Sequence, residues 1–153
     1  MAWPEDLLSI IFAVIFGAVI GIEREFHGKA AGLRTNILIC LGAAVFTIIS
    51  KQMATDTEGS VTRIAAQIVT GVGFLGAGAI IQDRGGVHGL TTAATIWLVA
   101  SIGMACGARF YQLAVITTLL AIAVLLGLAK LARPLEQRHH EKSKINNNPD
   151  DPI

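Results

Sequence analysis

The chain has 153 residues, 53% of them hydrophobic and only 15% charged, where a soluble domain carries roughly a quarter charged residues. Its formal net charge of +1, with no basic patch interleaved with aromatics, excludes a nucleic-acid surface. Cys40 and Cys106 both sit in apolar sequence and give no disulfide framework.

The first six residues, Met-Ala-Trp-Pro-Glu-Asp, hold two acids and no base. That is the reverse of a signal peptide's basic start, so the first apolar run reads as a retained helix. Apolar runs follow at residues 7–22, 37–50, 64–81, 90–108 and 110–129. A bilayer span needs roughly 20 residues. The first run reaches that length with Trp3 at the interface, and the short second run needs Leu33 at one end and Met53 at the other. The expected fold is all-α: a polytopic membrane helix bundle of about five transmembrane helices over residues 1–129, followed by a polar, disordered tail over 130–153. Charged and glycine-bearing loops at 23–34, 51–63 and 82–89 separate the spans, and a tight junction at Arg109 makes an antiparallel hairpin of the last two.

Lys and Arg asymmetry orients the bundle. With the N-terminus outside, Arg24, Lys29, Arg34, Arg84, Lys130, Arg133, Arg138, Lys142 and Lys144 are cytoplasmic, and only Lys51, Arg63 and Arg109 are outside. The C-terminus is then cytoplasmic. This topology puts Cys40 and Cys106 at depths differing by well over the ~7 Å that a disulfide bridges between Cα atoms.

Small residues recur at helical spacing: Gly17 with Gly21, Gly73 with Ala77, Gly103 with Gly107. Close backbone approach is how helices associate in lipid, so these predict a tightly packed bundle. Gly71, Gly73, Gly76 and Gly78 do not share one face, which makes the third helix the expected centre. This run is no nucleotide loop, since no strand precedes it and no Lys-Ser/Thr follows.

Charge gathers next to the first span, in Glu23, Arg24, Glu25, Lys29 and Arg34, with Gly28 and Gly32 suggesting a shaped turn. The bland reading is a positive-inside loop; the sharper one is a structured cap or mouth, its opposite charges paired at the membrane edge. Inside the spans, Thr70, Thr91, Thr92, Thr95 and Ser101 are cheap, because their hydroxyls return to the preceding turn. Gln67 is not, and wants an interhelical partner. Arg63 and Gln67 share a face at the outer end of the third span. No carboxylate falls mid-span, against a proton-coupled pump. His27, His88, His139 and His140 lack metal-ligand spacing, and no nucleophile–base motif is present, so neither cofactor, metal nor enzymatic activity is expected.

Three ordered blocks carry a family resemblance: Glu23-Arg-Glu with Gly28-Lys-Ala-Ala-Gly-Leu-Arg-Thr35, Val69-Thr-Gly-Val-Gly-Phe-Leu-Gly-Ala-Gly-Ala-Ile80, and Gly89-Leu-Thr-Thr-Ala-Ala-Thr-Ile-Trp97. Together they resemble the MgtC/SapB family over about residues 7–128. The resemblance implies a multi-pass protein of the bacterial inner membrane, linked to magnesium homeostasis and virulence. It implies a regulator that binds and restrains the F-type ATP synthase rather than one that moves Mg²⁺. Longer members continue into a cytoplasmic domain resembling an ACT fold, where this chain has a polar tail. Two other readings stand beside the regulator: a small oligomeric ion or solute transporter, and a bundle partnered by its own copies. The expected functional surface comprises Glu23, Arg24, Arg34, Thr35, Gln67, Asp83, Thr91, Thr92 and Trp97. Most of these fall at the cytoplasmic mouth, where the loop of Asp83 and Arg84 is expected to meet that of Glu23 to Arg34.

Overall fold

The computed structural model describes residues 3–53, 59–83 and 86–127, with side chains for 4–53, 65–82 and 86–127. The described residues form five helices: α1 Trp3–Phe26, α2 Leu33–Met53, α3 Gly59–Gly78, α4 Leu90–Gly107 and α5 Tyr111–Gly127. Between α3 and α4 lies an antiparallel hairpin, β1 Ile81–Asp83 and β2 Gly86–His88, with Ile81 opposite His88 and Gln82 opposite Val87. The chain divides into two compact units, Met1–Leu119 and Leu120–Ile153. In the second, residues 120–127 are the described ones, and they continue α5. The expected tail at 130–153 lies outside the described residues.

Among the described residues three helices are long and apolar enough to cross a membrane: Pro4–Phe26, Leu33–Met53 and Leu90–Gly107. On α1 the stripe Leu7, Ile11, Ile15, Val19 and Ile22 is 41–57% exposed. Five large apolar side chains on one outward helix face suit contact with acyl chains, where burial inside the protein gains nothing.

Two helices are longer than their apolar runs. α1 carries on through Glu23-Arg-Glu-Phe26, and α2 takes in Leu33, Arg34, Thr35 and Asn36 at one end and Lys51, Gln52 and Met53 at the other. Polar residues continue a helix readily where water or a side chain meets the terminal groups. α3 instead stops at Gly78, short of the expected 81, because Ile81 enters β1; the expected loop at 82–89 is the rest of this hairpin and its link to α4. Gly89 makes that link. Its φ is 87°, and a side chain there would run into the Ala79 carbonyl, so glycine alone fits.

Glycine contacts fix the directions of the helices. A Cβ built at Gly17 would come within 3.0 Å of the Ile37 Cα, and one at Gly21 within 2.7 Å of the Leu33 Cα, so α1 and α2 are antiparallel. Gly103 lies against the Cys40 carbonyl and Gly107 against that of Ala44, so α2 and α4 run the same way. Gly76 faces Ala93 at 3.5 Å while Ile68 packs with Ala43 and Ala100, which sets α3 antiparallel to α4.

The expectation that α3 is the centre is wrong. Gly71, Gly73 and Gly78 have nothing within 4 Å of a built Cβ, and the core runs along α2 and α4 through Cys40, Ala44, Val99, Ile102 and Cys106. Glycines mark where a close approach is open, not whether a neighbour occupies it. The two cysteines are free and buried. The depth gap expected to separate them is smaller than topology suggested, because Cys40 already lies beside Gly103, less than one turn from Cys106.

Helices α1 and α4 end the same way. Gly28 N–H donates to Glu25 O at 3.0 Å and Lys29 N–H to Arg24 O at 3.0 Å, with Gly28 at φ 61°. Arg109 N–H donates to Cys106 O at 2.9 Å and Phe110 N–H to Ala105 O at 2.8 Å, with Arg109 itself at φ 69°. Both are Schellman ends; the second uses an arginine where glycine is usual.

Candidate functional site

A polar node is buried where the end of α1 meets the starts of α2 and α4. Glu23 and Arg24 lie on the last turns of α1 and are only 9% and 3% exposed. Arg24 Nη2 donates to Thr92 Oγ1, on the first turn of α4, at 3.0 Å. A cation also suits a helix C-terminus.

Glu23 is held by His27, one turn on. His27 Nδ1 stands 2.8 Å from the Glu23 carbonyl and 3.1 Å from Glu23 Oε1. Both are acceptors when the carboxylate is ionised, so Nδ1 carries the hydrogen and Nε2 is left as the outward nitrogen.

Asn36 is fully buried against Gly21, and its Nδ2 donates to Ala31 O at 2.7 Å and Gly32 O at 2.8 Å. It ties the α1–α2 turn to the body of α2. Glu25 closes the same turn: its Oε2 accepts the Leu33 N–H at 2.9 Å and so caps α2.

Three buried atoms of this node find no hydrogen-bond partner among the described residues: Glu23 Oε2, Arg24 Nε and Asn36 Oδ1. An unmet buried polar group typically costs about 1–3 kcal/mol, more when charged. The node is therefore a polar site with two acceptors and one donor left over, suited to a small hydrogen-bonding guest such as water. Among the described residues no group of three or more His, Cys, Asp or Glu is placed to hold a metal ion.

Of the expected surface, the node joins Glu23, Arg24 and Thr92. Arg34 and Thr35 are exposed on the first turn of α2, and Thr91 is exposed on that of α4, its carbonyl accepting from Thr95 Oγ1 at 2.7 Å. Thr35 and Gln67 line a separate groove between α2 and α3, and Trp97 lines another with Thr47 and Lys51. Gln67 and Trp97 thus stand apart from the node. The side chains of Asp83 and Arg63 lie outside the described residues, as does Arg84, and with them the expected meeting of loops and the Arg63–Gln67 pairing.

Sequence reading did not pick out Asn36 or the cap at Glu25. An asparagine one turn into an apolar helix, four residues after a glycine, is the signal for the first. At the far end it missed a clamp on the start of α1: Arg109 pairs with Glu5 and with Asp6 at 2.9 Å, and Asp6 also accepts from Gln52 at 2.9 Å. Beside it, Ser9 and Tyr111 are hydrogen bonded at 2.8 Å, and Tyr111 packs on Phe12.

Comparison with known proteins gives a match to the MgtC family over residues 10–134. Protein MgtC of Brucella abortus is 47% identical over 125 residues, covering 82% of this chain and 50% of that protein. Protein MgtC of Salmonella typhimurium is 43% identical over 131 residues, covering 86% and 55%. An uncharacterized protein of Synechocystis is 42% identical over 132 residues, covering 86% and 56%. The chain thus spans about half the length of the curated relatives it matches. No solved structure matches. With its apolar helices and this extent of identity, the chain is a membrane protein and belongs to the MgtC family.

Proposed function

We propose that the protein is a non-enzymatic, multi-pass regulator of the bacterial inner membrane, N-terminus outside, that acts by helix–helix contact with a larger membrane complex such as the F-type ATP synthase. Its cellular role is then in magnesium homeostasis and virulence. The observation that carries this reading is the identity of 43–47% to proteins named MgtC over most of the chain. The contact surface that suits it is the outer face of α3, where Thr70, Gly73 and Ala77 are exposed and a Cβ at Gly73 meets nothing within 4 Å.

The test is crosslinked co-purification from native membranes. ATP synthase subunits should accompany the protein and be lost on Gly73→Leu, which leaves the internal packing alone. Gly103 does not serve here, because it lies against the Cys40 carbonyl and its replacement disturbs the fold. A small oligomeric transporter is the competing reading, favoured by Gln67, which with Thr35 gives a mostly apolar groove its polar side chains. Reconstituted protein that moves labelled Mg²⁺, with flux lost on Gln67→Leu, would establish the transporter and overturn the regulator.

A further inference from the structure

A groove of about 410 Å³ runs along α4, with α3 on one side and the end of α2 and the start of α5 on the other. Trp97, Ser101, Ala105 and Ala108 fall at i, i+4, i+8 and i+11 of α4 and its cap, and line the groove from end to end. From Trp97 to Ala108 the helix rises about 16 Å, roughly half of a ~30 Å hydrocarbon core. Ala108 directly follows Leu90–Gly107, and Lys51 lies near the end of Leu33–Met53, two of the helices able to cross a membrane. The groove therefore opens at the membrane edge and closes at Trp97, midway along α4. It is one leaflet deep.

Its lining restricts what fills it. The hydroxyls of Thr47 and Ser101 donate at 2.7 Å to the Ala43 and Leu98 carbonyls of their own helices, and Ser50 has a partner of its own. Between Lys51 and Trp97, water finds no open polar anchor. Lys51 is the charged side chain in the lining. Its Nζ donates to the Ala108 carbonyl at 3.3 Å, which holds the ammonium over the mouth and leaves two N–H groups to spare. The carboxylates described at this end do not answer it, since Glu5 and Asp6 pair with Arg109 and Asp6 also accepts from Gln52. A cation at the mouth of an apolar slot calls for an amphiphile with an anionic head. A membrane-crossing helix would continue past Trp97, where the slot ends; an acyl chain belongs to one leaflet.

We propose that this groove holds one acyl chain of an anionic phospholipid, with its phosphate at Lys51 and its chain lying along α4 toward Trp97. Ammonium and phosphate then form charge-assisted hydrogen bonds at the edge of the bilayer. A zwitterionic lipid brings its own cationic group, which competes with Lys51 for the phosphate, so the site prefers a lipid with net negative charge. The groove shares no residue with the exposed face at Gly73, and the proposal does not rest on the regulator reading.

The experiment uses Trp97 as the reporter. Trp3→Phe in the full chain leaves it as the one tryptophan. That protein is reconstituted in phosphatidylcholine vesicles holding a minor share of chain-brominated phosphatidylglycerol or chain-brominated phosphatidylcholine, and bromine quenches the indole it touches. Phosphatidylglycerol should take the site about 5-fold more readily, the effect of about 1 kcal/mol per cation near the surface. Lys51→Arg should keep the preference. Lys51→Gln, at an exposed position, should abolish it, and Ser101→Phe, which fills the slot while Lys51 stays, should reduce it. Arg34→Gln, which removes an exposed cation at the other end of α2, should leave it unchanged. Equal quenching by the two lipids, a preference that survives Lys51→Gln, or an equal loss in Arg34→Gln would each overturn the proposal.

Discussion

Arg24 and Thr92 are hydrogen bonded at 3.0 Å across 68 residues of sequence, and both side chains are buried. The bond joins the end of α1 to the first turn of α4. Since Arg24 Nε already lacks a partner, the guanidinium depends on Thr92 for what little pairing it has. Thr92→Val should lower stability by about 1–3 kcal/mol, while Thr92→Ser, which keeps the acceptor, should cost less. The double variant Arg24→Met, Thr92→Val should be less destabilised than the two single losses added together, because removing both partners leaves neither the guanidinium nor the hydroxyl without its mate. Thermal unfolding in detergent of the wild type, Thr92→Val, Thr92→Ser, Arg24→Met and the double variant reads these differences.

Glycines of the same sequence spacing should behave oppositely. Gly21→Ala forces a Cβ to 2.7 Å from the Leu33 Cα, whereas Gly73→Ala enters open space. The first should destabilise by about 1–3 kcal/mol, as overpacking does, and the second by under about 0.5 kcal/mol. Melting temperature and yield of folded protein distinguish them, and equal effects would contradict the packing described.

Glu25 reaches back from the end of α1 to cap α2 at Leu33 N–H. Glu25→Ala should cost about 0.5–2 kcal/mol, the range of a lost helix cap, and Glu25→Gln, which keeps the acceptor oxygen, should recover part of it. Hydrogen exchange at the first turn of α2 should rise in the alanine variant and stay low at the α4–α5 turn.

Arg109 holds a left-handed backbone at φ 69° and pairs with Glu5 and Asp6. Its hydrogen bond to Asp6, with both carboxylates beside it, keeps the guanidinium above its ordinary value, so it stays charged across the physiological range. Salt rather than pH is the lever on an exposed pair. Arg109→Ala should melt lower than Arg109→Gly, since both lose the pairing and only alanine is strained at positive φ. The gap between wild type and Arg109→Gly should narrow in high salt.

What the sequence makes legible is set by range. Long apolar runs broken by charge announce five helices, and the turn at Arg109 announces itself by brevity. The hairpin at Ile81–Asp83 and Gly86–His88 escapes because three-residue strands carry too little alternation to stand against an apolar helical run leading into them. The burial of Glu23 and Arg24 escapes for another reason. Charges next to a span look alike whether they face water or the bundle, and only the partner at Thr92, far along the chain, separates the cases. Gly71, Gly73 and Gly103 likewise read the same in sequence, though one helix lies filled against its neighbour and the other is open.

The clamp on the start of α1 also orders events during synthesis. Glu5 and Asp6 are made 104 and 103 residues before Arg109. At ribosomal speeds of about 5–20 residues per second, they wait roughly 5–20 s for their counter-charge. The first helix is therefore made with Glu5 and Asp6 still waiting for Arg109, and this latch closes only when the turn after the fourth helix has been translated. A nascent chain arrested before that turn holds its first helix without these ion pairs, through its apolar contacts and the side-chain hydrogen bonds of Asp6 to Gln52 and of Arg24 to Thr92.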